Sequence, residues 1–388
     1  MSLNAVVSAE RLHIGFFGMR NAGKSSVVNA ITGQKLSVVS DVKGTTTDPV
    51  KKAMELLPLG PVVIIDTPGL DDEGELGLLR VQKAQEILEQ TDIAVLVVDA
   101  RKGLCDADRE LLKQLESRAL PHIVAYNKAD LLHERDQAMY VSAKTGEGIE
   151  ALKERLGEFA KLCKKESVLI RDLLQPNDLV ILVTPIDASA PKGRLILPQQ
   201  MVLREVLDAH ACAMVCQDTE LEKMLDNVRK PRLVITDSQV FAKVSAIVPK
   251  DTMLTSFSIL MARYKGQLET LIRGAKALEG LKDADRVLIS EGCTHHRQCN
   301  DIGTVKLPKW IEKFSKAKPE FSFTSGNEFP QELSEFALVV HCGGCMLNEK
   351  AMQHRIATAV RSGVPIVNYG IAIAHMNGIL ERSLQPFM

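Results

Sequence analysis

Residues 18–25 read GMRNAGKS, and this stretch decides the fold predicted for the first third of the chain. The apolar run Leu12 to Phe17 precedes it, and a helical pattern from Ser25 to Ile31 follows it. Glycines allow backbone N–H groups to close around phosphate oxygens, and the start of a helix adds partial positive charge. A strand, this loop and a helix in that order predict a phosphate-binding loop. The nucleotide contacts expected from it come from Gly18, Asn21, Ala22, Gly23, Lys24, Ser25 and Ser26.

Two further stretches can hold a magnesium ion and the terminal phosphate. Lys24 is expected to reach the β- and γ-phosphates, and the Ser25 hydroxyl to bind Mg²⁺. In the sequence DTPG, Asp66 can hold Mg²⁺ through water, and the Gly69 N–H can meet the γ-phosphate. Between these motifs lies the polar sequence GTTTD; threonine-rich turns are common, but one of its hydroxyls could reach Mg²⁺, and we prefer Thr46. The predicted catalytic residues are therefore Lys24, Thr46, Asp66 and Gly69.

The sequence NKAD at residues 127–130 predicts recognition of guanine. The Asp130 carboxylate can accept hydrogen bonds from the guanine N1 and N2 groups, which adenine lacks, and a site that leaves a buried polar group unpaired rejects the wrong base efficiently. Asn127 and Lys128 belong to the same loop. A later loop, made of Ser142, Ala143 and Lys144, is expected to close on guanine O6. A solvated charged loop would explain each motif alone, but not all of them in this order.

Short apolar runs alternate with helical patterns through residues 1–165, which indicates right-handed crossovers and a mostly parallel sheet. We therefore predict an α/β, P-loop GTPase domain over 1–165, ending at a cluster of charges at 161–166. The expected strands are Leu12 to Phe17, Val62 to Ile65, Ile93 to Val98 and Ile123 to Tyr126. The expected helices are Ser25 to Ile31, Leu78 to Leu88, Ala107 to Leu115 and Ile149 to Leu162.

Two more α/β regions are predicted after the first. A small one over 170–260 starts at the apolar run Leu179 to Val183, and Cys212 and Cys216 are expected in its core. Its core is marginal for about 80 residues, so we predict that it pairs with a second copy as a dimerisation domain. A single long helix from about Thr255 to Leu278 is expected to introduce the third region, 261–388. Its predicted strands are Arg286 to Ser290, Ala337 to His341 and Pro365 to Asn368.

Composition excludes some classes of protein. The chain has 388 residues, 45% hydrophobic and 25% charged, with a formal net charge of -1. With so small a net charge, the chain has no overall electrostatic attraction to nucleic acid or to an anionic membrane, so neither partner is expected. The first residues lack an apolar signal core, and the apolar runs are far shorter than the roughly 18–20 residues of a membrane helix. A cytoplasmic location is expected, in which the eight cysteines are candidate metal ligands or core residues rather than disulfides.

Cysteines and histidines cluster after two predicted strands of the third region, in the sequences CTH at 293–295 and HCGGC at 341–345. Loops after parallel strands share one sheet edge, so Cys293, Cys342 and Cys345 could meet, with His295 and His341 beside them. Buried structural cysteine is the plainer alternative, but a glycine pair inside C-x-x-C favours a tight wrap around an ion or a cluster. Structural zinc would use four ligands in a closed tetrahedron. A 4Fe–4S cluster could take the three cysteines and leave one iron for His295, His341, another weak ligand or a substrate.

The nucleotide motifs resemble those of GTPases of the Era and tRNA-modification type. In that group an asparagine at the position of Asn21 helps to bind K⁺, and Leu70 stands where Ras-like proteins have a water-orienting glutamine. The resemblance implies that K⁺ supplies the charge that an arginine finger gives elsewhere. The glutamate that orients water in such relatives is not assigned here, because neither Glu73 nor Glu75 aligns cleanly.

The pattern C-x-H…H-C-x-x-C, joined to an N-terminal GTPase, resembles the HydF family of iron-only (FeFe) hydrogenase maturation GTPases over the whole chain. The resemblance implies a homodimer, or a higher assembly, whose cofactors are GTP, Mg²⁺, K⁺ and a 4Fe–4S cluster. It implies a scaffold that accepts a transient di-iron precursor from radical-SAM maturation enzymes and transfers it to the apo-hydrogenase. Residues 261–388 would then be an iron–sulfur cluster domain. A metal-bearing GTPase in tRNA modification or ribosome assembly is the alternative, whereas a redox enzyme would not explain the GTPase.

Overall fold

The computed structural model describes residues 10–34, 49–69, 83–163, 167–186, 195–292, 302–326 and 328–388. The chain divides into two compact units, with the division between Lys165 and Glu166. The first unit holds one sheet and the second holds two. Within the described residues, none of the helices combines the length and the apolar character that a membrane crossing requires.

The first unit is built on a six-stranded sheet in the order β2-β3-β1-β4-β5-β6, in which only β2 runs antiparallel to its neighbour. Its strands are β1 Leu12–Phe17, β2 Val50–Leu56, β3 Gly60–Asp66, β4 Ile93–Asp99, β5 His122–Asn127 and β6 Met139–Tyr140. Its helices are α1 Lys24–Thr32, α2 Asp106–Ser117 and α3 Ile149–Cys163, and residues 83–88 are also helical.

Strand β4 shows why this sheet forms. Its alternate residues belong to two separate hydrophobic cores: Val95 and Val97 lie in one, and Leu96 and Val98 in the other. Side chains alternate between the faces of a strand, so a strand covered on both faces must be apolar throughout. The four predicted strands are therefore confirmed. Strand β2 was not predicted from the sequence. It is an edge strand that is buried only in part, and its exposed lysines interrupt the apolar pattern of a buried strand.

The second unit begins with a four-stranded parallel sheet in the order β10-β9-β7-β8. Its strands are β7 Leu179–Val183, β8 Cys212–Cys216, β9 Leu233–Thr236 and β10 Met253–Ser256, and its helices are α4 Leu197–Asp208, α5 Leu221–Asn227, α6 Phe241–Ile247 and α7 Phe257–Tyr264. The core position predicted for the cysteines of β8 is right for Cys216, which is buried, and wrong for Cys212, which is exposed. Both cysteines lie on this edge strand, which is exposed at its first residue and buried at its last.

A second parallel sheet follows in the order β12-β11-β13-β14. Its strands are β11 Arg286–Glu291, β12 Glu320–Ser325, β13 Leu338–His341 and β14 Ile366–Asn368. The helices are α8 Leu268–Ala275, α9 Leu307–Ser315, α10 Glu349–Arg361, α11 Tyr369–Met376 and α12 Leu380–Leu384. Strand β12 was not predicted, since its residues are only half-buried or exposed.

The long helix predicted from Thr255 to Leu278 is wrong. Residues Met253–Ser256 form strand β10, and the Ser256 hydroxyl accepts a hydrogen bond from the Ile259 N–H at 3.3 Å, which caps α7. Helix α7 ends before Gly266, whose φ of 75° is the left-handed conformation that glycine adopts most readily. The apolar periodicity continues across the break because both short helices pack against the same core.

The two sheets of the second unit share one hydrophobic core. Ile181 and Phe241 of the first sheet region belong to the same cluster of buried side chains as Val287 and Val339 of the second. At the end of the chain, Arg382 of α12 donates to the carbonyl oxygens of Ser245 and Val248 and of the adjoining proline, at 2.7 to 2.8 Å. These contacts hold the last helix against the first sheet region.

Candidate functional site

The loop between β1 and α1 is closed around its own lysine. The Lys24 Nζ donates to the carbonyl oxygens of Gly18 and Met19 at 2.8 and 2.9 Å, and the side chain is only 7% exposed. Gly18 has a φ of 138°, and a Cβ there would lie 2.2 Å from the Val97 carbonyl oxygen. At Gly23, with a φ of 91°, a Cβ would lie 2.2 Å from Asn127 Nδ2. Only glycine fits at these two positions. The loop backbone can therefore come close enough to a phosphate group for its N–H groups to bind the phosphate oxygens.

The predicted magnesium ligands lie together at the ends of α1 and β3. The Ser25 hydroxyl donates to Asp66 Oδ2 at 2.6 Å. The other carboxylate oxygen, Oδ1, is buried and has no hydrogen-bond partner among the described residues. A buried oxygen atom without a hydrogen-bond partner is energetically costly unless an ion or a water molecule binds to it. Oxygen atoms are the ligands that Mg²⁺ prefers. These two side chains therefore fit a hydrated Mg²⁺. Gly69 ends the described stretch after β3, and Thr46 lies outside the described residues.

Asn127 joins the phosphate loop to the loop predicted to close on guanine. Its Nδ2 donates to the Ala22 carbonyl oxygen at 2.9 Å, and its Oδ1 accepts from the Ala143 N–H at 3.1 Å. Asp130 Oδ1 accepts from the Ser142 hydroxyl at 2.7 Å. The structure thus brings the three predicted nucleotide segments together, and Lys144, the last residue of the third, is exposed.

Lys128 makes a second bridge between these loops, through a residue that sequence analysis missed. Its Nζ donates to the Asn21 carbonyl oxygen and to Asp99 Oδ2, both at 2.6 Å. Arg101 also donates to both carboxylate oxygens of Asp99, at 3.0 and 2.7 Å. The hydrogen bonds from Arg101, and next those from Lys128, hold the pKa of Asp99 below its ordinary value against the opposing effect of burial. The sequence did offer one indication of Asp99: it is the last residue of the buried strand β4, which pairs with β1, the strand that leads into the phosphate loop.

The C-x-x-C loop after β13 meets the end of β11. The N–H of Gly292, the residue that precedes Cys293, donates to Cys342 Sγ at 3.0 Å, and the Gly344 N–H donates to the same sulfur at 3.4 Å. Backbone N–H donors stabilise a thiolate, the form in which cysteine binds metals. Cys293 and His295 lie outside the described residues, and the described residues contain no group of three or more candidate ligands arranged for a metal.

Both ring nitrogens of His341 have hydrogen-bond partners. Its Nδ1 lies 2.8 Å from the Cys342 carbonyl oxygen, and its Nε2 lies 2.9 Å from a guanidinium nitrogen of Arg355. The first nitrogen must therefore donate and the second accept, so the ring is neutral. Burial, and next the Arg355 charge, lower the pKa of His341 to about 3. The role of His341 as a candidate cluster ligand finds no support in this arrangement, because neither nitrogen is left for a metal.

Two buried cations lie close to the C-x-x-C loop. Arg355 of α10 is 4% exposed, and it also donates to the Gly326 carbonyl oxygen at 2.6 Å. Lys265, after α7, is 3% exposed and donates to the Leu347 carbonyl oxygen at 2.9 Å. Burial raises the pKa of the Cys345 thiol to about 12, and Lys265 opposes that rise. Sequence analysis found neither cation, because each joins the loop only through tertiary contacts.

Models of known protein families match three successive parts of the chain. A model of the hydrogen maturase F dimerization domain matches residues 169–266, and one of the hydrogen maturase F tetramerization domain matches residues 269–386. The chain belongs to the hydrogen maturase F family. A third model, described as a 50S ribosome-binding GTPase, matches residues 13–128. A hydrogen maturase F protein therefore carries a GTPase domain followed by two regions of the family's own, and the family assignment predicted from sequence is confirmed.

Individual relatives resemble the GTPase part of this hydrogen maturase F chain. The tRNA modification GTPase MnmE of Dechloromonas aromatica (strain RCB) is 35% identical over 168 residues, which are 41% of this chain and 37% of the relative. GTPase Der of Kosmotoga olearia is 34% identical over 139 residues, 34% of this chain and 31% of the relative. The chain thus spans about a third of the length of these curated relatives. A solved structure of a probable GTP-binding protein, engB, is 26% identical with a TM-score of 0.32, and the match covers 39% of this chain and 99% of that one.

Proposed function

We propose that this hydrogen maturase F protein is a GTP hydrolase and an iron–sulfur scaffold. It accepts a di-iron precursor from radical-SAM maturation enzymes and transfers it to the apo-FeFe-hydrogenase. Residues 1–165 bind GTP, residues 170–260 form the dimer contact, and residues 261–388 hold a 4Fe–4S cluster. The observation that carries the scaffold role is the contact between the Gly292 N–H and Cys342 Sγ, at 3.0 Å.

That contact supports a ligand set made of Cys293, Cys342 and Cys345. Gly292 is covalently joined to Cys293, so the first cysteine of the motif follows directly on a backbone group that already touches the second. Hydrogen bonds from N–H groups to the cysteine sulfur atoms are among the features by which a protein sets the reduction potential of an iron–sulfur cluster. The cluster would supply an iron with an open coordination position. The chain itself supplies the thiolates, the N–H donors and a loop whose glycines let it wrap closely.

The GTPase chemistry follows from the first unit. Water attacks the γ-phosphorus, the bond from that atom to the β–γ bridging oxygen breaks, and GDP and phosphate leave. The Lys24 ammonium would offset part of the charge on the phosphate oxygens, and Ser25 and Asp66 would hold a Mg²⁺ ion that supplies further positive charge there. We propose that K⁺ at Asn21 adds charge, as the resemblance to Era-type and tRNA-modification GTPases implies. We propose that Thr46, which lies outside the described residues, supplies a further hydroxyl ligand to Mg²⁺.

One experiment tests the scaffold role. The protein is reconstituted anaerobically with iron and sulfide, and both are measured together with the EPR signal of the reduced cluster. We expect acid-labile sulfide in proportion to iron in the wild type, and loss of both in Cys342→Ser. Zinc without labile sulfide would refute the cluster and favour a closed structural site.

A second experiment tests the GTPase role independently. GTP hydrolysis is measured with Mg²⁺ in K⁺ and in Na⁺ at equal ionic strength, with Lys24→Ala as the comparison. We expect faster hydrolysis in K⁺ and none above background in Lys24→Ala, which should still assemble the cluster. Equal rates in the two salts would remove K⁺ from the proposal, and full activity of Lys24→Ala would remove the assigned phosphate site.

A further inference from the structure

One buried arginine contacts the ends of the two strands that lead into the cysteine segments. Arg355 of α10 donates through Nη1 to His341 Nε2 at 2.9 Å, and the same nitrogen lies 3.4 Å from Ser290 Oγ. Ser290 and His341 are register partners on β11 and β13. His341 directly precedes Cys342, and Ser290 lies on the strand that leads to Cys293. A single guanidinium nitrogen is therefore placed where the chain leaves the sheet toward both cysteine segments.

The other side of the guanidinium reaches the outer strand of the same sheet. Arg355 Nη2 donates to the carbonyl oxygen of Gly326, just after β12, at 2.6 Å, and the Phe329 ring centroid lies 5.1 Å from Arg355 Cζ. Within the sheet, the Thr324 hydroxyl of β12 donates to Ser290 Oγ at 3.0 Å. A guanidinium carries several N–H donors in a fixed planar arrangement, so it can bind several acceptors at once. Arg355 thus connects the carboxyl ends of the neighbouring strands β12, β11 and β13.

The contact with Arg355 also determines how the His341 ring is held. A guanidinium can donate but not accept, so Nε2 must be the accepting nitrogen and the ring proton lies on Nδ1. Nδ1 in turn donates to the Cys342 carbonyl oxygen at 2.8 Å. Helix α10 follows the C-x-x-C loop in the chain, so the bond between Arg355 and His341 closes a segment that contains both Cys342 and Cys345. The imidazole therefore joins the arginine to the backbone of this loop.

Removing the guanidinium would take a hydrogen-bond donor from two buried or partly buried acceptors, His341 Nε2 and the Gly326 carbonyl oxygen. A buried polar group that loses its partner is energetically costly, so other orientations of the His341 ring would become competitive. A turn of this ring would release the Cys342 backbone. The Cys342 sulfur would then be less firmly held at its distance of 3.0 Å from the Gly292 N–H.

We propose that Arg355 is a positioning residue for the cluster site. It fixes His341 as a donor to the Cys342 backbone, and it holds together the strand ends that lead to Cys293 and Cys342. The inference rests on the proposed cluster function and adds a residue outside the cysteine motif. It also gives His341 a role that needs no bond to iron.

The first test measures how firmly the reconstituted full chain holds its cluster. Release of iron to an excess of an iron(II) chelator is followed anaerobically, after labile sulfide has been measured. In Arg355→Met, which keeps a long side chain without N–H donors, we expect release on the order of tenfold faster than in the wild type. Arg361→Met is the matched control, because Arg361 lies exposed on the same helix, and it should release iron at the wild-type rate. Equal rates in Arg355→Met and the wild type would refute the proposal.

Arg355→Lys separates the shape of the guanidinium from its charge. An ammonium group keeps the positive charge but lacks the planar arrangement of donors that reaches His341 and Gly326 together. We expect this variant to recover only part of the wild-type retention of iron. Full recovery would show that charge alone is sufficient and would overturn the positioning role. The same comparison decides the question if Arg355→Met does not fold.

Nitrogen-15 NMR of the chain labelled in its histidines gives a readout that a general loss of stability would not produce. The His341 signals are identified by their absence in His341→Gln. In the wild type Nδ1 should carry the proton and Nε2 none, whereas in Arg355→Met a fraction of the molecules should carry it on Nε2. A wild-type ring with its proton on Nε2, or a ring that is unchanged in Arg355→Met, would show that Arg355 does not orient His341.

The wild type distinguishes failure of this inference from failure of the proposed function. Labile sulfide in the wild type, together with wild-type iron release in both Arg355 variants, would refute the role of Arg355 alone. If the wild type takes up no labile sulfide, the proposed cluster function fails, and this inference fails with it.

Discussion

Replacing Asn127 with alanine should separate the loops of the nucleotide site. The side chain is 2% exposed and makes the two hydrogen bonds that join the phosphate loop to the loop containing Ala143. Both bonds lie within the protein itself, so their loss can be measured by hydrogen exchange as well as by nucleotide binding. The substitution leaves a buried carbonyl oxygen at Ala22 and a backbone N–H at Ala143 without these partners.

The expected magnitude follows from those two bonds. A hydrogen bond in a folded protein contributes about 1 kcal/mol net. Losing both should therefore lower the free energy of local opening by about 2 kcal/mol, which is about 30-fold in the opening equilibrium. We expect GTP to bind more weakly by a similar factor, since the same loops are proposed to meet the phosphates and the base. Asn127→Asp keeps the acceptor for Ala143 but cannot donate to Ala22, so it tests the two bonds separately.

Hydrogen exchange of the full chain can measure this effect locally. Protection of residues 18–28 and 140–150 should fall in Asn127→Ala, while residues 197–208 of the second unit should be unaffected. Asn227→Ala is the matched control, because its Nδ2 donates only to the Lys223 carbonyl oxygen at the exposed end of α5 among the contacts described. Titration with a fluorescent GTP analogue gives the affinity. Wild-type protection and an affinity within threefold of the wild type would refute the view that Asn127 assembles the site.

Three further predictions concern single side chains. Asp130→Asn should weaken GTP binding and raise binding of xanthosine triphosphate, because an amide can donate to the xanthine carbonyl; an unchanged preference in a competition assay would show that Asp130 does not read the base. Asp99→Asn should destabilise the first unit at neutral pH, and the difference from wild type should shrink progressively as pH falls below about 4, because the stability contributed by a carboxyl group with a lowered folded-state pKa is complete above its unfolded pKa and is lost as pH falls toward its folded pKa; thermal unfolding at pH 7 and pH 3 should show a smaller difference at pH 3, and an equal difference at both would contradict this. His341→Gln, which can still accept from Arg355, should keep the labile sulfide that Cys342→Ser loses, and equal loss in both variants would make His341 a ligand after all.

Local patterns were sufficient for the elements whose physics is local. Strand β7 was predicted at Leu179 to Val183 and is observed there, because every residue in it is buried and apolar. The nucleotide loops were predicted for the same reason: a strand, a glycine turn and a helix form one continuous segment. The long helix failed because periodicity cannot show that Gly266 turns the chain between two helices facing one core.

The parts of the site that escaped prediction depend on contacts between distant residues. Asp99 joins Lys128 across 29 positions, and Lys265 meets Leu347 across 82 positions. Each residue is unremarkable among its sequence neighbours, and only the fold gives it a partner. The histidine of HCGGC shows the reverse: its sequence position suggests a ligand, but the buried Arg355 occupies its Nε2.

The core shared by the two sheets of the second unit bears on how this protein can be dissected. A fragment that begins near residue 269 would expose the side chains that Ile181 and Phe241 cover, and would lose the three backbone carbonyls to which Arg382 donates. A fragment that ends near residue 266 would lose the strands against which α7 packs. The boundary between the two family models therefore lies within one compact unit that has a shared core. We expect the regions on its two sides to unfold together rather than to separate at that boundary.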